Sequence, residues 1–201
     1  MFPVFNASAE SVNIFVGDND GYGIGIADNG IAPSGYDFVG NDNRSATEIS
    51  ATNGAQQTDF YSANFTPLAQ NFDITFALND DLLSAIFEFD ALGFQADQFG
   101  QFNLLFNGVL KTNGLNFQDG VLPTAIYSIA LDALDLANAN TAGQFVATIQ
   151  RNNSFDAVAF DYFRLSGEDN SGPSAVPVPA AAWLFGTALL GFLGLRRKNT
   201  V

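Results

Sequence analysis

Short runs of alternating apolar and polar residues, separated by turns rich in Gly, Asn and Asp, are the strongest limit on what this chain can fold into. SVNIFVG sets Val12, Ile14 and Val16 against Ser11 and Asn13. The same period of two recurs in NFDITFAL (71–78), SAIFEFDAL (84–92), TAIYSIAL (124–131), QFVATIQR (144–151) and AVAFDYFRL (157–165). Side chains two apart on a strand share a face, so each run predicts a strand with one face on a core. FNLLFNGVL carries Asn107-Gly108 between apolar runs, the signature of a tight hairpin. The NNSFD segment between the last two runs predicts a final hairpin. Ser45 and Glu48 have capping-box spacing, with Gly54 placed to end a short helix, and DALDLANANTAG reads as a short helix or a loop. No regular βαβ alternation and no fixed-period repeat accompanies the strands. The expected fold is therefore an all-β antiparallel β-sandwich with one or two short helices.

Charge and residue types exclude several classes of chemistry. The 201 residues hold 21 acidic and 7 basic side chains, a net charge of −14, with no His and no Cys. Three of the basic residues are Arg196, Arg197 and Lys198, which leaves the body at −17, with 4 basic against 21 acidic side chains. Nucleic acid is not an expected partner, because its binding rests on Lys and Arg neutralising phosphates. Zinc sites built on His or Cys are excluded, as are Ser-His-Asp and Cys-His catalysis. The abundance of Phe (21) and Gly (19) suits strands and tight turns.

The polar segment SGEDNSGPSA separates this body from a different kind of sequence. The expected organisation is a sandwich domain over 1–166, a linker over 167–175 and a tail over 176–201. Within the tail, 180–195 holds 16 uncharged residues, of which Thr187 is the polar one. As a helix it would span roughly 24 Å, short of a bilayer core of about 30 Å. Snorkelling of Arg196, Arg197 and Lys198 at one end, and Trp183 near the opposite interface, would make up the shortfall. The basic cluster is expected to stay on the cytoplasmic side, leaving the acidic body outside. The sequence Val176-Pro177-Val178-Pro179, then Ala-Ala-Ala-Trp-Leu-Phe-Gly, then the basic end, resembles a PEP-CTERM sorting signal. That resemblance implies an exported protein of a Gram-negative bacterium, held transiently in the inner membrane and cut by an exosortase-like peptidase. The third motif position, commonly Glu in that family, is Val178 here. MFPVFNASAE has neither a basic segment nor a long apolar stretch of the kind that opens an export leader, so a leader is expected upstream of residue 1 or already removed, ahead of the alternative that the protein is not exported by the usual route.

Within the body, Phe160-Asp161-Tyr162-Phe163-Arg164-Leu165 resembles the closing strand of jelly-roll carbohydrate-binding modules. Asp18-Asn19-Asp20, on a glycine-rich loop, offers the oxygen ligands that Ca2+ prefers. The jelly-roll resemblance implies that Asp161 would join Asp18 and Asp20 at such an ion. The competing reading of the loop is turn chemistry, since Asp and Asn bond their own backbone. An EF-hand does not fit, because counting from Asp18 the twelfth position is Asn29. Glu88 and Asp90 share a strand face, which a solvated exterior explains as well as paired-carboxylate hydrolysis does. Gly21, Gly23 and Gly25 form no dinucleotide fingerprint.

Two functions follow as expectations. The first is a non-enzymatic surface or extracellular-matrix protein, structural or adhesive, in contact with exopolysaccharide. The alternative is a calcium-dependent glycan-binding module, with Tyr22, Tyr61 and Tyr162 as stacking platforms. A carboxylate-based hydrolase is a more distant third.

Overall fold

The computed structural model describes residues 9–34, 42–61, 71–93, 95–115 and 123–171. The alternating runs form strands whose apolar faces meet. β1 (Glu10–Gly17), β3 (Leu82–Leu92), β6 (Thr124–Ala130) and β8 (Ala159–Asp169) make one sheet, in the order β1-β8-β3-β6. β2 (Asn71–Ala77), β4 (Phe102–Phe106), β5 (Val109–Leu115) and β7 (Gln144–Gln150) make the other, ordered β2-β7-β4-β5. Every pairing is antiparallel. The architecture is a β-sandwich, as expected from the pattern.

Between the sheets lies a core dominated by Phe. Phe72, Ile74 and Phe76 of β2, Phe102, Leu104 and Phe106 of β4, and Phe145 and Ile149 of β7 face Phe87, Phe89, Phe160, Phe163 and Leu165 of the opposite sheet. Phe87 is the hub, with ring centroids 5.5–6.4 Å from those of Phe76, Phe89, Phe106, Phe145 and Phe163. Edge-to-face and offset contacts of this kind add to the apolar area that each ring buries.

The local signals mostly settle as the sequence predicts. Asn107 and Gly108 both take positive φ (45° and 80°) between β4 and β5, as a tight hairpin requires. The Ser45–Glu48 capping box opens α1 (Ala46–Ser50). Asp132 and Asp135 form a second box that opens α3 (Ala133–Ala142), and Gly143 closes it in the left-handed conformation. A four-residue helix, α2 (Ala96–Phe99), precedes β4.

Three expectations need correction. The final hairpin does not form: β7 pairs with β2 and β4, whereas β8 pairs with β1 and β3 in the other sheet. The intervening residues are turn formers, with Asn152 and Asn153 at positive φ, but the segment spans the sandwich. It is fixed by Ser154 and Asp156 hydrogen bonds, including the Gln95 amide donating to Asp156 at 2.5 Å. Gly54 does not end α1, which stops at Ser50; with φ +107° it begins a 3-10 turn, where a Cβ would lie 3.0 Å from the Ile74 Cα. The linker starts later than expected. β8 continues to Asp169 because its last residues pair with Glu10–Val12 on one side and with β3 on the other. The tail, including the motif 176–179, the apolar run 180–195, Trp183 and the basic end 196–198, lies outside the described residues. Among the described residues no helix is long and apolar enough to cross a membrane.

Candidate functional site: two acidic clusters under a glycine-rich turn

One irregularity in β8 organises the acidic end of the sandwich. Phe89 faces Phe163 across the ladder and Ala91 faces Phe160, so Asp90 alone opposes both Asp161 and Tyr162. This is a β-bulge, in which one extra residue resets the alternation of side chains. It keeps Phe160 and Phe163 together in the core, 4.9 Å apart, and turns Asp161 and Tyr162 to the outer face beside Glu88 and Asp90.

The loop after β1 folds over that face. At Gly21–Gly25 the chain makes a tight turn in which Gly21, Tyr22, Gly23 and Gly25 all have positive φ. A Cβ on Gly21 would lie 2.3 Å from the Ile26 amide nitrogen, so the turn needs glycine there. The Asp161 carboxylate accepts from the Tyr22 amide at 2.8 Å and the Gly21 amide at 3.3 Å. Asp20 accepts from the Gly23 amide at 2.6 Å, which is the turn chemistry expected of it. The turn buries Tyr22 over Asp90.

Two groups of three carboxylates flank this loop, and in each the carboxylate oxygens lie within 4.8 Å of one another. The first is Asp18, Asp20 and Asp59; the second is Asp28, Asp90 and Asp161. The three residues singled out from the sequence are thus divided: Asp18 and Asp20 stay together, and Asp161 joins the other group. Its two backbone donors and its place on the bulge account for this. Asp59 carried no signal in the sequence, being a lone acid in QQTDF, 41 positions from Asp18.

Asp59 is brought in by its backbone. It adopts φ +53°, a conformation Asp tolerates better than most residues. Its amide donates to the Phe160 carbonyl at 2.8 Å and its carbonyl accepts from the Asn43 amide at 3.1 Å. The side chain is 3% exposed, and neither carboxylate oxygen has a hydrogen-bond partner. Burial, then the negative charges of Glu48, Asp20, Asp161 and Asp18, push its pKa up to about 9. Burial also raises Asp90 to about 7; the Tyr22 hydroxyl beside it offsets part of this, and the charges of Asp161 and Asp28 add to it. Asp161 rises to about 6, chiefly by burial, against the opposing pull of its Tyr22 and Gly21 amide donors. No cation lies among these strongest influences on Asp59. Arg44, on the same side, is bonded to Asp42 and the Gln56 carbonyl.

The remaining candidates are buried or tied to neighbouring side chains. Glu88 accepts from the Tyr162 hydroxyl at 3.0 Å and the Ser128 hydroxyl at 3.1 Å, with Arg164 3.6 Å away. Asp90 is fully buried, so Glu88 and Asp90 line no open cleft of the kind carboxylate hydrolysis needs. Tyr22 and Tyr162 are 1% and 2% exposed and offer no open ring face for stacking on a sugar.

No family model and no curated protein matches the chain. Among solved structures it is similar to the ANX2 ectodomain from Arabidopsis thaliana, with 13% identity and a TM-score of 0.38. The match covers 73% of this chain and 42% of that one, a likeness too slight to carry an argument about fold or function.

Proposed function

We propose that this is an exported surface or extracellular-matrix protein of a Gram-negative bacterium, with a structural or adhesive body, sorted through its C-terminal signal. The observation that carries the reading is the order of residues after the sandwich: Val176-Pro177-Val178-Pro179, an uncharged run over 180–195 acting as a transmembrane helix, and Arg196-Arg197-Lys198. Each part has a physical role in holding an acidic body outside the inner membrane until an exosortase-like peptidase cuts near the motif. The sandwich is read as jelly-roll-like, and exopolysaccharide is the proposed contact. The described fold suits a tethered role. β8, the strand that leads into the linker, is hydrogen-bonded on both edges, by β1 and β3. A pull on the C-terminal side therefore meets two ladders of backbone hydrogen bonds. The non-enzymatic reading draws support from the structural partners of Glu88 and the burial of Asp90.

Intact mass and cellular location, measured on the protein made from its full gene in its own host, test the proposal. Loss of roughly the 25 residues of the motif, helix and basic end, with release beyond the inner membrane, is the expected outcome. An uncut chain retained in the inner membrane would make the tail a permanent anchor and remove the peptidase from the account.

A further inference from the structure

We infer that Asp59, Asp18 and Asp20 form a binding site for a divalent cation of the calcium class, which fastens the loop after β1 to the segment leading out of the 3-10 turn. The argument starts from Asp59 and is independent of the tail. A carboxylate removed from water needs a hydrogen-bond donor, a cation or a proton. Asp59 is 3% exposed and both of its oxygens are without donors. It stands among more of its own kind: one oxygen each of Asp18, Asp20 and Asp59 lie within 4.8 Å of one another. Three carboxylate oxygens at that separation fit around one ion with oxygen ligands at about 2.3–2.6 Å.

The surroundings hold the carboxylate there instead of letting it turn away. Both backbone groups of Asp59 are bonded, one to β8 and one to Asn43. Thr58 packs beneath Gly17, where a Cβ would come within 2.6 Å of its methyl group, and its hydroxyl bonds Glu48 and the Ala55 carbonyl. Glu48 is itself used up by that hydroxyl and by the Ser45 amide at 2.8 Å. Asp18 and Asp20 are exposed, which leaves the ion a route from solvent. All three ligands are oxygens, and the chain has no His or Cys, so hard cations are favoured over zinc. The second group also holds a buried acid, Asp90, whose oxygens have no hydrogen-bond partner. It differs in that Asp161 is already held by two amides and the Tyr22 ring covers the group, whereas Asp18 and Asp20 leave the first group open to solvent.

The ligands come from positions 18, 20 and 59, so the ion would close a long loop and tie the end of β1 to the segment leading out of the 3-10 turn. Binding only to the folded chain raises stability by mass action. Calorimetric titration of the full chain, purified in detergent and freed of metal with chelator, is the test, using CaCl2 as the probe. One equivalent of Ca2+ is expected to bind, with a rise in melting temperature. Asp59→Asn should weaken binding at least about tenfold and abolish the thermal shift, and Asp18→Asn should weaken it less. Asp59→Asn keeps the shape of the side chain and replaces a buried acid that has no donor, so it should fold in chelator; circular dichroism checks this. Asp73→Asn, on the outer face of β2, should change nothing. The inference is overturned if folded wild-type chain shows neither heat nor thermal shift at millimolar Ca2+. It is equally overturned if binding survives Asp59→Asn but is lost in Asp90→Asn, which would assign the ion to the other group.

Discussion

Asp135 and Asp59 are almost equally buried, at 1% and 3% exposure, yet the molecule treats them in opposite ways. Asp135 sits in the first turn of α3, where it accepts from the Asp132 amide at 2.9 Å. Lys111, reaching across from β5, places its ammonium 2.7 Å from the same carboxylate and 2.5 Å from Asp132. Its charge is thus answered by a helix N-terminus, a reciprocal cap and a cation. Asp59 has none of these; its company is Asp18, Asp20, Glu48 and Asp161. Protein groups answer one oxygen of Asp135, and neither oxygen of Asp59, whose partner comes from solvent. Equal burial therefore says little about role until the partners are named.

Breaking the finished site should produce the largest effect. Lys111→Met leaves Asp135 buried without its cation and should lower unfolding stability by about 1–3 kcal/mol at neutral pH, read by urea denaturation. An unchanged midpoint would mean that the cap alone holds Asp135. Asp59→Asn should have the opposite sign in chelator. At pH 8 the wild-type chain must hold a proton on Asp59 that the unfolded chain has released, so the variant should be more stable by at least about 1 kcal/mol. Excess Ca2+ should reverse that order.

The two regions should also respond to pH in opposite directions. Lys111, then the backbone amides of the cap, hold Asp132 down to about 2. A depressed pKa contributes stability that is present above the unfolded value of about 4 and is lost as pH falls toward 2. Asp161, Asp90 and Asp59 are raised, to about 6, 7 and 9. Their contribution is complete below about pH 4 and is lost as pH rises through those values, so the metal-free chain should weaken steadily toward alkaline pH. Thermal melts from pH 2 to 9, with and without Ca2+, check both limbs, and the ion should flatten the alkaline one. The smallest effect is expected from Asp132→Asn. Asn caps a helix about as well as Asp, and the lost ion pair is exposed, so the melting temperature should barely move.

These contrasts also explain which features were legible in the sequence. The α3 capping box and the Asn107-Gly108 hairpin use neighbours within a few positions, so their partners are written beside them. The alternation of Phe, Ile and Val with polar residues is a local consequence of the pleat, and it was enough to predict strands and a sandwich. The pairing of β7 and β8 into different sheets was not legible, because nothing in NNSFD distinguishes a hairpin turn from a segment that crosses the core. The same holds for Asp161, whose company was set by one extra residue in a ladder.

The amino-acid sequence by itself determined the strands, the caps, the absence of His and Cys chemistry and the segmentation into an acidic body and an apolar, basic-ended tail. Each of these depends on residue type and near neighbours. Tertiary structure alone decided that Asp59 groups with Asp18 and Asp20, and that Asp161 groups with Asp28 and Asp90. Bringing together carboxylates 41 positions apart is the work of a backbone pinned at φ +53° by its bonds to Phe160 of β8 and to Asn43. No local pattern records such an arrangement, because the energy that holds it comes from the folded core.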